Sequence, residues 1–238
     1  MRKTRNSTVE AGPPPAGLNS GSWPATGLRI GISGWRYRPW RGVFYPKTLP
    51  QTRELEFASR AHNTIEINGS FYSLQRPSSY QQWYTETPPG FVFSLKGPRF
   101  ITHMKKLRDV ETPLANFFGS GVLALREKLG PVLWQFPPNF GWNEERFRNF
   151  FELLPKDTAA AAAIAKAHDT KLKYSALTKT DVTRPLRHAV EIRHTSFLVP
   201  GFFTLLRRHN VAFVFADTAG KWPYAEELTS DFVYIRLH

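Results

Sequence analysis

The side chains able to do chemistry in this 238-residue chain stand at the ends of short apolar runs. Glu66 and Asn68 lie in TIEIN at 64–68, Lys96 ends FVFSLK at 91–96, and Gln135 lies in LWQF at 133–136. Glu191 and Arg193 lie in AVEIR at 189–193, Asp217 ends FVFAD at 213–217, and Arg236 and His238 lie in VYIRLH at 233–238. Glu66, Glu191 and Asp217 form a carboxylate set suited to general acid and base work. With His238 the same set has the types of an oxygen and nitrogen metal site. Beside cations it can instead close into an ion-pair network. The reading taken is catalytic carboxylates with no metal assigned. Lys96, Arg193 and Arg236, with Arg99 just beyond, form a cation set suited to a phosphate or carboxylate; they can also balance the carboxylates. Asn68, Gln135 and His238 are expected to orient groups in the site. Trp35 and Tyr37 open an aromatic loop, 35–45, in which Arg36, Arg38 and Arg41 interleave with rings. Such a loop can stack on a sugar or base, or pack over a site on its own rings; Trp35 and Tyr37 are read as substrate-binding. His103 is expected as a hydrogen-bonding loop residue, and His194, beside Arg193, is a weaker candidate for a role.

The alternation of these runs says what must position them. Ile65 and Ile67 alternate with Glu66 and Asn68, Val190 and Ile192 with Glu191 and Arg193, and Val233, Ile235 and Leu237 with Tyr234, Arg236 and His238. Ile30 and Ile32 alternate with Gly31 and Ser33. A parallel strand covered by helices is apolar on its helix-facing side. The polar parity then faces a barrel interior, whose C-terminal mouth is where such folds carry active sites. Strands are expected at 29–33, 64–68, 91–96, 131–136, 188–193, 211–216 and 232–237. Helices are expected near 51–61, from Pro77, over 113–129 with a break at Gly119-Ser120-Gly121, after Asn143, and over 199–209. Residues 156–187 read as an insertion, a short helix and then a flexible basic segment carrying a net +4 from seven basic and three acidic residues. The fold class is α/β, a TIM-like β/α barrel with seven strands and no eighth βα unit. Residues 1–27, rich in Pro, Gly, Ser and Thr, are expected to form a disordered tail ahead of a barrel domain at 28–238.

Bulk composition narrows the partners. The formal charge is +13, from 32 basic and 19 acidic residues. That balance favours an anionic small molecule or nucleic acid. The chain has no Cys, which excludes disulfides, thiolate metal sites and cysteine nucleophiles. No apolar stretch approaches the roughly 20 residues that span a bilayer, so no membrane partner is expected and a cytoplasmic location is the default. Phosphate-loop, dinucleotide, zinc-protease and serine-hydrolase motifs are all absent from the sequence. Cofactors and a definite enzyme class stay unassigned.

Read together, these stretches resemble the YecE-like family, domain of unknown function 72. The resemblance rests on Gly31-Ile32-Ser33-Gly34-Trp35, Trp40 to Pro46, Asn63 to Asn68 with Ser70-Phe71-Tyr72, and Lys96 before Pro98 to His103. It continues through Gly130 to Gln135, Glu191 to His194, Ala216-Asp217 and Tyr234 to His238. It implies a TIM-like barrel over about residues 28–238 and supplies no reaction. It also implies a further βα unit after His238, so a C-terminally truncated chain is expected, with open barrel edges that favour a homo-oligomer. The function expected is an enzyme-like pocket for an anionic substrate, with sugar-containing molecules as one class. The alternatives are a nucleic-acid-binding or endonuclease-like protein, and an inactive truncated remnant.

Overall fold

The computed structural model describes residues 27–238, so the tail expected at 1–27 lies, but for its last residue, outside the described residues. Seven strands follow one another: β1 (Gly31–Ser33), β2 (Thr64–Ile67), β3 (Val92–Lys96), β4 (Leu129–Gln135), β5 (His188–Glu191), β6 (Val211–Asp217) and β7 (Tyr234–Leu237). All pair in parallel and in chain order. Among the described residues no ladder joins β1 to β7, so the sheet is a curled half-barrel.

The helices are α1 (Glu54–Ala61), α2 (Gly69–Tyr72), α3 (Pro77–Glu86), α4 (Glu111–Gly119), α5 (Glu144–Leu153), α6 (Thr158–Ala165) and α7 (Pro200–Arg208). Their starts have local causes. Proline opens α3 and α7, where its missing N–H costs nothing. The Asn143 side chain accepts from Arg146 N at 2.9 Å, and that of Asp157 accepts from Ala160 N at 2.7 Å. The Phe residues of α5 recur at 3- and 4-residue spacing, so Phe147, Phe150 and Phe151 are all buried. Burial of each contributes roughly 1.5–3 kcal/mol.

Strand alternation sorts the apolar residues into two clusters. Ile65, Ile67, Phe93, Leu95, Val132, Trp134, Val190 and Phe213 face the helices and join the main core. Leu133, Ala189, Ala212, Val214 and Ala216 face the other way and form a smaller cluster, against which Phe232 and Tyr234 pack. This second cluster plugs the interior with small residues. The polar residues of the same parity lie beyond it, toward the C-terminal strand ends. On β7 the alternation persists but the outer face is uncovered among the described residues. Val233, Ile235 and Leu237 are 48%, 60% and 80% exposed.

Residues 156–187 depart from a loose basic arm. Their ends are stitched by an antiparallel bridge between Asp157 and Pro185 and by Thr158 N donating to Arg184 O at 2.9 Å. Helix α6 buries Ala161, Ala162 and Ala165. Beyond α6, Leu177 N donates to Gly119 O at 2.9 Å, and Asn116 on α4 exchanges hydrogen bonds with Asp169. Small alanines allow this close helix contact, and the lysines stay on its outside. Among the described residues no helix is long and apolar enough to cross a membrane.

Candidate functional site

The inward parity of β2, β3, β5 and β7 brings five charged side chains together. Arg236 is the hub. Its guanidinium donates to Glu66 Oε1 at 3.1 Å and to Glu191 Oε2 at 2.5 Å. It is 11% exposed, and the two carboxylates are 6% and 1% exposed. Arg193 donates through Nε and a terminal nitrogen to Glu191 Oε1, both at 3.2 Å. Glu66 also accepts from Ser33 Oγ at 2.9 Å and from the Tyr234 hydroxyl at 2.7 Å. Ser94 Oγ lies 2.8 Å from that hydroxyl. Asn68 Nδ2 donates to Ser33 Oγ at 2.8 Å and so orients the serine toward Glu66. These contacts tie β7 to β2 and β3 across the interior, where among the described residues no backbone ladder does so. Burial raises the Tyr234 phenol well above its ordinary value, and the Glu66 charge raises it further. The Arg236 guanidinium is raised despite its burial, because two carboxylates face it.

Lys96 completes the group on different terms. Among the described residues its Nζ has no hydrogen-bond or ion-pair partner; it lies over the Phe71 ring, 4.4 Å from the centroid. Burial, and then Arg236, bring its pKa down to about 8. His103 shares this corner. Its Nδ1 is 2.8 Å from Thr102 Oγ1, and its ring meets Phe71 edge-on at 5.1 Å. Burial, followed by Lys96, Arg193 and Arg99, lowers His103 to about 4. Gln135 is 3% exposed, and its buried Oε1 has no partner among the described residues. It pairs in register with Glu191, and Leu133 pairs with Lys96. Gln135 therefore stands one inward step beyond Lys96 on the neighbouring strand.

Asp217, Trp35 and His238 stand apart from this arrangement in different ways. Asp217 shares parity with Phe213 and Phe215, the helix-facing residues of β6, so Ala216 takes the inward place. The Asp217 carboxylate is exposed and accepts from Ala219 N at 3.1 Å, away from Glu66 and Glu191. Trp35, expected to stack on substrate, is 8% exposed and packs edge-on against Trp83 at 5.4 Å. The turn at Gly34, with φ at +75°, sends it into the core. Tyr37 remains 39% exposed at the mouth, where its hydroxyl donates to Ser33 O at 2.6 Å. The rest of the aromatic loop packs on itself and on α1, Trp40 with Phe44 and Phe44 with Phe57. His238 lies at the rim, its Nε2 3.3 Å from Arg236. His194 caps the short turn at Thr195–Phe197; its Nδ1 accepts from Ser196 N at 3.2 Å. Among the described residues no group of three or more His, Asp or Glu side chains is placed to hold a metal ion.

Residue type alone passes over Ser33, Ser94 and Tyr234, yet their parity matches that of Glu66, Lys96 and Arg236 and would have found them. Trp222 carries no such signal. The loop after β6 brings it over Arg193, with the guanidinium 5.2 Å from its ring centroid.

Known proteins are similar to this chain in sequence or in structure. The chain is 29% identical over 123 residues to the UPF0759 protein YunF of Bacillus subtilis, covering 50% of this chain and 43% of that protein. It is 27% identical over 129 residues to the UPF0759 protein YecE of Escherichia coli, covering 54% and 44%. These matches span less than half the length of the curated relatives. A crystal structure of a DUF72 family protein from Thermotoga maritima aligns over 88% of this chain and 74% of that one, with a TM-score of 0.65 and 26% identity. One from Enterococcus faecalis aligns over 88% and 72%, with a TM-score of 0.59 and 15% identity, a likeness of fold alone. The family model described as "Protein of unknown function DUF72" matches residues 29–238, and the chain belongs to that family.

Proposed function

We propose that the mouth of this half-barrel is an enzyme-type pocket for a small anionic, hydroxylated substrate, with sugar acids and sugar phosphates as the favoured class. The observation that carries this reading is the charge count of the interior. Three cations, Lys96, Arg193 and Arg236, face two carboxylates, and both arginines are already held while Lys96 is not. A structural network would close on itself; this one leaves a cation free to meet anionic oxygen. The uncommitted Gln135 side chain suits a substrate hydroxyl, since a buried amide oxygen without a partner costs about 1–3 kcal/mol. Glu66 and Glu191 are the proposed proton-transferring groups. An anion arriving at Arg236 or Arg193 competes for the guanidinium and loosens a carboxylate for that role.

Inorganic phosphate tests the reading. At about ten times its Kd it should stabilise the protein by about 1.4 kcal/mol, seen as a rise in Tm of ~3–5 °C for a chain of this size. Lys96→Arg should keep that rise and Lys96→Met should diminish it. Equal shifts in all three proteins would remove the proposal.

A second reading has its own observation. The loops after β3 and β4 and the start of α5 border an open hollow of about 560 Å³ lined by Lys105, Lys106, Arg108 and Arg146, with Phe140 and Trp142. Basic side chains beside the half-buried Trp142 ring suit a single-stranded nucleic acid, while Phe140 is buried beneath them. Weak binding that falls with salt, with a log–log slope of about −3 for four phosphate contacts, is the expected result. Binding that survives high salt would point instead to an endonuclease-like recognition of sequence or shape.

A further inference from the structure

We infer that Lys96 is an amine nucleophile that forms an imine with the carbonyl carbon of an anionic aldehyde or ketone bound in the mouth. The inference rests on the anion-binding reading and adds a covalent step to it. Four observations carry it. Lys96 is the last residue of β3 and has inward parity, so its amine lies among the groups that would hold the substrate's charge. Its Nζ makes no hydrogen bond or ion pair among the described residues, only a contact with the face of Phe71, so attack on carbon breaks no hydrogen bond or ion pair. Both neighbouring arginines are fixed by carboxylates, which holds the anchoring charge still while the amine stays free to move. Gln135, one inward step further on β4, has an unpartnered amide able to accept from the hydroxyl that forms on the attacked carbon.

The electrostatics agree. The groups facing the amine are Arg236 from β7, His238 just after it, Glu66 from β2, Glu191 at the end of β5, Arg193 two residues beyond it, and His103 from the loop after β3. The carboxylates favour the ammonium, the arginines oppose it, and burial outweighs both, leaving a pKa of about 8. About a tenth of the amine is then neutral at pH 7, against less than a thousandth for an exposed lysine. Desolvated lysines of this kind serve as carbonyl nucleophiles.

The step balances without a co-reactant. The Nζ lone pair forms the C–N bond as the C=O π pair moves to oxygen. A proton passes from nitrogen to that oxygen, giving a carbinolamine. Loss of hydroxide from carbon and the remaining N–H proton, together one water, leaves the imine. Once protonated, the imine withdraws electrons from the adjacent carbon, which suits proton abstraction or C–C cleavage there.

Glyoxylate, a very small anionic aldehyde, is the probe. The full chain is incubated with glyoxylate and sodium cyanoborohydride, which reduces an imine to a stable secondary amine, and the adducts are mapped by peptide mass spectrometry. Lys96 should be labelled at least tenfold faster than Lys105 or Lys106. The rate should rise with pH and level off above about 8. Lys96→Arg should abolish the adduct, and inorganic phosphate should slow its formation. Labelling of Lys96 no faster than that of the surface lysines overturns the inference. If phosphate still raises the Tm of wild type and Lys96→Arg, the anion-binding reading survives that result; if it raises neither, both fall.

Discussion

Arg236 holds the interior by bridging two carboxylates that are each almost wholly out of water. Among the described residues Arg236 is the one ion-pair partner of Glu66, while Glu191 also has Arg193, and a buried, unpaired carboxylate is far more costly than a buried pair. Arg236→Met should therefore destabilise the fold by about 3–5 kcal/mol, read from urea unfolding. A change below about 1 kcal/mol would mean that the bridge is solvated and weak. A second prediction concerns histidines. His188 accepts from Trp134 Nε1 at 3.2 Å and donates through Nε2 to Pro155 O at 2.8 Å, so it is a neutral, fully used core residue. Burial lowers its pKa to about 4 against the raising effect of the Pro155 carbonyl, and His103 is also lowered to about 4. Between about pH 6.5 and 4 the unfolded chain takes up protons that the folded chain refuses, so stability falls as pH falls through that window. The His188 contribution lost is about 3 kcal/mol. His188→Gln should flatten this acid limb in denaturant titrations at pH 7 and 4.5. An unchanged slope would assign the acid sensitivity to other groups.

At the scale of elements, close approach between β3 and β4 sets the site's geometry. Gly97 directly follows Lys96, and a Cβ there would lie 2.4 Å from the Trp134 ring. Trp134 cannot move aside, because it is fully buried, hydrogen-bonded to His188 and packed edge-on against Phe150 on α5. Gly97→Ala should cost roughly 1–3 kcal/mol through overpacking. It should also shift Lys96, weakening phosphate-induced stabilisation beyond what the lost stability explains. Normal phosphate response in a folded Gly97→Ala protein would show that β3 and the site are uncoupled. The helices contribute less directly. They bury the outer parity of the strands and thereby fix which residues of each strand face inward.

For the whole molecule, the open side between β1 and β7 matters most. Leu28 and Ile30 at one margin are 63% and 61% exposed, and the outer face of β7 is as bare. Exposed apolar strand faces beside unpaired edges favour association. The 238-residue chain should therefore show concentration-dependent mass in light scattering, and Leu237→Lys should reduce it. A monomer at all concentrations, unaffected by that substitution, would mean that this face is protected in solution. Inside, side chains do what the missing ladder does not: Tyr234 and Arg236 reach from β7 to Glu66 on β2.

Alternation within short runs was enough to read seven strands, their order in a β/α barrel and the inward set Glu66, Lys96, Glu191, Arg193 and Arg236. The physical reason is that a strand has a period of two, so a covered face imposes its pattern on every second residue. The same rule places Asp217 on the wrong parity, as FVFAD itself shows, since Asp217 alternates in step with Phe213 and Phe215. Residue type does not reveal this. Other features depend on contacts between residues far apart in the chain. Trp35 turns into the core because Trp83 on α3 offers it a partner. The segment 156–187 folds onto α4 because Ala165, Ala176 and Leu177 meet Gly119 and Asp169 meets Asn116. Lys96 is left without a partner because Arg236, 140 residues later, takes both carboxylates. Local sequence sets the face each side chain occupies; only the assembled interior decides which charges are neutralised and which remains free.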